Sequence, residues 1–489
     1  MTTVTDRIQV AGVEVSPDHF IDGKRVASDR RFEDISPIDA QVIAEVSRAG
    51  EAEVDQAVRA AQEAFPEWAG LGPAGRAPFL HRLADLIDAN VDRLAAVENA
   101  DNAMLLRSLR ARVIHRGARN YRSYADLAVR YEERDWRSQG TWNRVQRMPA
   151  GPAAVITPWN APFMLSTWKT APALAAGCTV VLKPAEWAPL SCSLLGDLIS
   201  EAEMPPGVFN IVQGLGEEAG AALVAHPLLR RISFTGSPET GRLIGVAAAR
   251  NLVPFTAELG GKGPFIIFED ADLDAAARKA AGQYDDAGQV CLAGTRLLVQ
   301  ESVAEEFMER FHRFADEHVL GDPRSDTTTL SPLIHPDHLE RVEGFVERAR
   351  AEGQKIVRGG RRAKEVGPLF YVPTLIEPTS NDAEVVQREV FGPVLTIQTF
   401  ADEDEAVALA NSTEYGLSGL VYTGSLGRAD RVGRRLRAGV VWVNTFLVRD
   451  LTAPFGGMGI SGIGREGGDY ALDFYSELKT LQILEGSTG

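Results

Sequence analysis

Apolar residues recur at helical spacing early in the chain and in strand-like runs later. Within 51–68, Val54, Val58, Ala61 and Phe65 share one helical face, and 79–94 repeats the pattern through Leu83, Leu86 and Ile87, so both stretches are predicted as helices. From Ala153 the pattern changes to short apolar runs at 153–156, 179–182, 208–212, 231–234 and 254–259, separated by helix-compatible stretches. These runs begin about every 22 to 30 residues, the period of βαβ units that build a parallel sheet, so a dinucleotide-binding fold is expected here. Beyond Gly261 the pattern restarts with a strand at 264–268, a helix at 272–283, a strand at 295–299 and a helix from Val303, which predicts a second α/β domain. Gly- and Pro-rich punctuation at 358–362 and 454–468 reads as surface loops. The last apolar stretch, 478–484, is expected to pair with the sheet edge of a partner subunit.

A chain of 489 residues exceeds what one hydrophobic core usually serves, which agrees with two large domains. Charge removes some partners: 51 Lys and Arg against 67 Asp and Glu leave a net charge of −16, unfavourable toward nucleic acid or an anionic membrane surface. The N-terminus has no basic segment followed by an apolar run, and the apolar stretch 171–182 stops at Lys183, so neither export nor membrane anchoring is expected. Cys178, Cys192 and Cys291 make no disulfide framework in a chain this long, and a reducing cytoplasm is the expected location. No Cys/His cluster has zinc spacing, so no metal is predicted.

Three short stretches carry candidate chemistry. In Gly288-Gln289-Val290-Cys291-Leu292-Ala293-Gly294-Thr295-Arg296 a cysteine stands among small residues that let a substrate approach, which suits a nucleophile; a lone cysteine also reads as an inert buried thiol. In Phe255-Thr256-Ala257-Glu258-Leu259-Gly260-Gly261-Lys262 a carboxylate at a strand end precedes two glycines. Partly desolvated, Glu258 is raised toward neutrality and can take a proton from water; its plain alternative is a surface glutamate before a turn. In Ile156-Thr157-Pro158-Trp159-Asn160-Ala161-Pro162-Phe163 the asparagine follows the first strand of the sheet, where open α/β sheets bind ligands. Its amide can donate to an oxyanion, a contact worth about 3 kcal/mol, or simply fix a Pro-flanked turn.

In this order, with Cys291 33 positions after Glu258, the three stretches closely resemble the aldehyde dehydrogenase superfamily. Further matches are Leu182-Lys183-Pro184-Ala185-Glu186, Phe234-Thr235-Gly236-Ser237-Pro238-Glu239-Thr240-Gly241, Glu389-Val390-Phe391-Gly392-Pro393 and Pro454-Phe455-Gly456-Gly457, and the likeness runs from Phe20 to Thr480. It implies an α/β fold with a Rossmann-like parallel-sheet cofactor domain (1–130 and 149–257), a second α/β catalytic domain (258–453) and oligomerisation segments (131–148 and 469–489) of a homodimer or homotetramer. It implies a nucleophile at Cys291, a general base at Glu258 and an oxyanion donor at Asn160, with Lys169 added to the catalytic set. The chemistry agrees: hydride cannot leave an aldehyde carbon until a nucleophile has made it tetrahedral, and the resulting thioester needs activated water to release the acid. A free thiol is only a few per cent thiolate at pH 7, so the site must lower the pKa of Cys291 or deprotonate it through a base.

The turn Gly236-Ser237-Pro238 follows a strand and opens a helix, with Ser237 suited to cap it and Pro238 to start it, so a phosphate is expected on that helix N-terminus. Glu186, near Lys183, follows the second strand, where a dinucleotide fold places its ribose-reading carboxylate; this favours NAD, with NADP possible because Lys183 softens the preference. The resemblance adds Glu389 at the nicotinamide-side ribose with Phe391 beside it, further cofactor contacts at Ile156, Thr157, Pro158, Trp159, Gly220, Phe234, Thr240 and Leu259, and a lesser one at Gly216.

The stretches 448–457 and 163–169 are similar to dehydrogenases of muconate-type semialdehydes from aromatic catabolism. That implies an anionic aldehyde held by Arg449 and Arg116, since arginine's planar fork matches a carboxylate, with Phe455 beside the substrate. Alternatives are a general aliphatic or aromatic aldehyde dehydrogenase, a succinate-semialdehyde dehydrogenase, a CoA-acylating enzyme, against which Glu258 argues, and a non-catalytic scaffold, against which the intact Cys291, Glu258 and Asn160 argue. Two departures stand out. Where relatives usually carry a Gly-Lys-Pro turn this chain has Asp101-Asn102-Ala103-Met104-Leu105-Leu106-Arg107, expected to alter the substrate tunnel, and Gly263 stands where a polar side chain is usual.

Overall fold

The apolar runs from Ala153 become neighbouring strands because a strand apolar on both faces must be covered on both sides by helices. In the computed structural model, which describes residues 7–130 and 134–484, Phe255–Glu258, Arg231–Thr235, Ala153–Ile156, Val180–Lys183 and Phe209–Ile211 lie side by side in that order, all parallel. His19–Ile21 and Lys24–Val26 extend one side antiparallel, and Gly462–Ile463 closes the other against Ala257 and Glu258. The order reverses at Ala153–Ile156, the kind of switch point at which an open α/β sheet leaves a crevice beyond its strand ends.

A second sheet runs in the order Lys355–Arg358, Thr374–Glu377, Val394–Phe400, Arg296–Gln300, Pro264–Ile267, Ser418–Tyr422 and Val440–Val443, parallel except for its first strand. Only 259–263 separate the last parallel strand of one sheet from the first of the other, so Glu258 and the cysteine loop are brought to one seam. Helices Glu51–Gly70, Pro162–Ala176 and Leu190–Glu201 help cover the first sheet, and Trp68, Leu80, Tyr121, Phe163, Leu174 and Phe209 share its largest core cluster.

One expectation is corrected, and another gains a structural setting. The helix predicted over 79–94 is parts of two, Gly72–Ala89 and Val91–Asn102, because Asn90 leaves helical geometry (φ −111°, ψ 21°) and its side chain donates to the Leu86 carbonyl. Apolar spacing continues across the break and so hides it. The stretch 478–484 pairs within its own chain: Ser476–Leu484 lies antiparallel to Thr141–Pro149, which in turn pairs with Arg134–Ser138, leaving the other edge of Ser476–Leu484 open.

The two departures have structural counterparts. Ala103 sits in the left-handed region (φ 58°), where a non-glycine residue costs roughly 1 kcal/mol, and a π-helical turn, Leu109–Val113, precedes the Ile114–Arg130 helix. At Gly263 a Cβ would lie 2.9 Å from both the Ala293 carbonyl and Ser418 Oγ, so the strand start is packed against the cysteine loop too closely for a side chain. Among the described residues no helix is long and apolar enough to cross a membrane.

Candidate active site

Loops from both sheets enclose a cleft of about 720 Å³, within the range of roughly 300–1,000 Å³ usual for ligand sites. Pro158, Trp159 and Asn160 reach it from one strand end, Gly236 and Ser237 from the next, Glu258 and Leu259 from the third, and Cys291, Glu389 and Phe391 from the second sheet's side. Trp187, His338, Arg341 and Tyr415 complete the walls; no motif marks them, because single aromatic and basic residues at loop ends carry no spacing signal.

Cys291 is presented by a strained loop. Asp286, Ala287 and Gly288 are all left-handed (φ 53°, 55° and 68°), and a Cβ on Gly288 would lie 2.1 Å from the Gly392 carbonyl, so position 288 must be glycine. The loop is braced: Gly294 N–H donates to Gln283 Oε1 at 2.7 Å, Asn160 Nδ2 donates to the Gln289 carbonyl at 2.8 Å, and Gly261 leaves room for the Cys291 carbonyl. Asn160 therefore spends one amide N–H on positioning the loop and keeps the other for a ligand. The thiol of Cys291 is half-buried and pushed up to about 12, by burial and then by the charges of Glu389 and Glu258.

Glu258 is 5% exposed and neither of its carboxylate oxygens has a hydrogen-bond partner. Burial, and next the charge of Glu466, raise its carboxyl well above the usual range, while Lys169, Arg449 and Arg465 pull the other way. Once ionised, a carboxylate raised in this way is a stronger proton acceptor than an exposed one. Lys169 does not line the cleft. It is fully buried, ion-paired with Glu466 and 3.1 Å from Ser233 Oγ, and Glu466 also accepts from Trp168 Nε1 at 2.6 Å. Lys169 thus reaches Glu258 only electrostatically.

On the opposite wall Ser237 caps the Pro238–Arg250 helix by accepting the Thr240 N–H at 3.2 Å, and a Cβ on Gly236 would meet the Phe234 ring at 2.4 Å. The helix N-terminus opens into the cleft and offers unpaired N–H groups to an anion. Glu389 accepts the Gly261 N–H at 2.8 Å and fills the space a side chain at Gly260 would take; burial lifts it to about 7. Lys183, Glu186, Gly216 and Gly220 form a neighbouring group: Lys183 Nζ donates to Glu186 at 3.0 Å and Gly220 packs against the lysine stem. Burial works to raise the Glu186 carboxyl, but Lys183 and backbone donors including Gly216 outweigh it and hold it low. Ile156, Thr157 and Phe234 stand behind the lining, with Thr157 buried and hydrogen-bonded to Ser166 at 2.9 Å, whereas Thr240 is exposed beside Ser237.

The three expected substrate residues meet elsewhere, around Trp168. The guanidiniums of Arg116 and Arg449 lie 5.6 and 5.1 Å from its ring, and Arg449 is 3.7 Å from the ring of Phe455. Arg116 donates to Asn120 Oδ1 at 3.1 Å, whereas Arg449 has no hydrogen bond or ion pair among the described residues, although it lies within electrostatic reach of Cys291 and Glu258. No group of His, Cys, Asp and Glu among the described residues is placed to hold a metal ion.

Known proteins share this arrangement. A profile described as the aldehyde dehydrogenase family matches residues 25–481. The chain is 42% identical over 480 residues to a 2-hydroxymuconic semialdehyde dehydrogenase of Pseudomonas sp. (strain CF600), covering 95% of this chain and 99% of that one. It is 40% identical to a 5-carboxymethyl-2-hydroxymuconate semialdehyde dehydrogenase of Escherichia coli, covering 93% and 98%. Among solved structures, an indole-3-acetaldehyde dehydrogenase of P. syringae in complex with NAD+ and IAA superimposes with a TM-score of 0.94 at 34% identity, covering 96% and 97%. A cysteine and a buried carboxylate facing one cleft, on a fold shared along nearly its whole length with these enzymes, make this chain an oxidoreductase belonging to the aldehyde dehydrogenase family.

Proposed function

We propose that the enzyme oxidises a carboxylate-bearing aldehyde, of the semialdehyde class named for its relatives, to the acid with NAD, through a thioester on Cys291. The observation that carries the substrate class is the pair Arg116 and Arg449: two guanidiniums converge on one indole, and Arg449, with no hydrogen bond or ion pair among the described residues, lies within electrostatic reach of Cys291. A half-buried guanidinium with no directly paired carboxylate gains a charge-assisted contact from a substrate carboxylate.

The cleft fits the cofactor. The capped helix start at Ser237 suits a pyrophosphate, Glu389, Phe391 and Trp159 suit the nicotinamide end, and Glu186, already held by Lys183, suits ribose hydroxyls and disfavours an added phosphate. Bound NAD supplies the acceptor for the hydride. The residues do the rest: the ionised Glu258 takes the Cys291 thiol proton and passes it to solvent, the sulfur bonds to the carbonyl carbon as the π pair moves to the carbonyl oxygen, and the free N–H of Asn160 stabilises that oxygen. Once the carbon is at the acid oxidation level, Glu258 takes a proton from water as the water attacks, and the C–S bond breaks to release the acid. The Lys169–Glu466 pair tunes Glu258 from behind. The open edge of Ser476–Leu484, where Leu478 and Leu484 are exposed, supports a homodimer or homotetramer, and the sparse free cysteines agree with a reducing cytoplasm.

Arg449→Ala is expected to raise KM for succinate semialdehyde about 10- to 100-fold, the loss of one charge-assisted contact, while KM for butanal changes less than about 2-fold. Equal effects on both would remove the carboxylate assignment.

A further inference from the structure

The segment 107–122 carries six arginines in a chain of net charge −16. Three are engaged: Arg107 donates to the Asp326 carbonyl, Arg110 pairs with Asp92, and Arg122 pairs with Asp85 and Asp88. Arg112 and Arg119 are exposed and have no hydrogen bond or ion pair among the described residues. Arg116 and Arg119 share one face of the Ile114–Arg130 helix at i and i+3, and Arg112 stands on the π-helical turn just before it, so exposed charges without an ion pair flank the pair that meets at Trp168. Burial, then the like charges of Arg449 and Arg119, lower Arg116 to about 10, so these three guanidiniums repel one another. Arg112 lines an outer cavity of about 380 Å³ together with Lys279, Asp285 and Asp286, and feels both carboxylates without pairing to either.

We propose that Arg112 and Arg119 extend the Arg116–Arg449 pair into a positive track that draws carboxylate-bearing aldehydes toward Cys291 against the negative charge of the whole chain. The proposal rests on the carboxylate role of Arg116 and Arg449. It makes Arg112 and Arg119 determinants of capture rather than of chemistry: they touch no reacting atom, and they act through a field that salt screens. Asp285 and Asp286 oppose the track at its outer end.

The test is kcat/KM against ionic strength, with succinate semialdehyde as the anionic probe and butanal as the neutral one. For the Arg112→Gln/Arg119→Gln double variant, kcat/KM with succinate semialdehyde is expected to fall about 5- to 10-fold at about 20 mM salt, and the gap to close near 0.5 M, where the Debye length is only about 4 Å. Kinetics with butanal should be unchanged at every salt concentration, which also reports correct folding. Asp285→Asn should move kcat/KM for succinate semialdehyde the other way. A double variant with the salt slope of the parent enzyme overturns the track. If Arg449→Ala raises KM for succinate semialdehyde and not for butanal, the carboxylate site survives that result; if both change alike, the site itself has failed.

Discussion

The cleft that joins Cys291 to the Ser237 helix is shaped by close-packed glycines, a hydrogen-bonded carboxylate and aromatic rings; around Trp168, Arg116 and Arg449 meet ring faces with no ion pair among the described residues. Gly236, Gly260 and Gly288 each occupy a position where a Cβ would lie within 2.5 Å of a neighbour, so the cleft is fixed by close backbone approach and tolerates little change. Arg116 and Arg449 project from a helix face and a loop, where a side chain can be exchanged without moving the backbone. Under the proposed function the difference separates two tasks: close backbone approach holds the positions of Cys291 and the cofactor wall, and the choice of aldehyde falls to side chains that can be exchanged.

The sharpest way to break this division is Cys291→Ala. It should lower turnover of anionic and neutral aldehydes alike by about 10⁴-fold or more, with NAD binding retained by fluorescence titration; residual turnover with either class would put the nucleophile elsewhere. Next is Lys169→Met, which leaves Glu466 buried without its partner and should cost about 3–5 kcal/mol of stability in urea unfolding, far more than an exposed arginine substitution. The smallest effect is a gain. Ala103→Gly relieves a left-handed alanine near the start of the substrate-side helix and should add roughly 1 kcal/mol, read in the same unfolding assay; no gain would mean the strain is absorbed nearby.

The reaction side was the more legible from sequence. Glycines forced by close approach, a carboxylate at a strand end and a cysteine between small residues are local signals, and they led to one cleft. What the chain alone does not display is pairing across long separations. Glu466 stands nearly 300 residues from Lys169 in the chain, yet it is the charge that most raises Glu258 after burial itself. Asn160 carried a recognisable amide, but its bond to the Gln289 carbonyl depends on where the second sheet places the loop. Trp168, on which both arginines converge, looks from sequence like any core aromatic. Apolar periodicity placed the strands it predicted within a residue or two, gave none before Ala153 and none of the second-sheet strands beyond Gln300, and missed the break at Asn90, because the buried face continues across it.

The raised carboxyl of Glu258 also sets the sign of the pH dependence: below its elevated pKa it is protonated and cannot accept a proton from water, so hydrolysis should fail on the acid side well above pH 4.5 and recover as pH rises. The account therefore turns on whether a substrate carbon is ever bonded to Cys291 and then waits for Glu258. Glu258→Gln, mixed with NAD and succinate semialdehyde, quenched in acid and analysed by intact-protein and peptide mass spectrometry, tests this most directly. One acyl group on the Cys291 peptide, matched by a single equivalent of NADH, is the predicted result; continued NADH formation with an unmodified cysteine would contradict it.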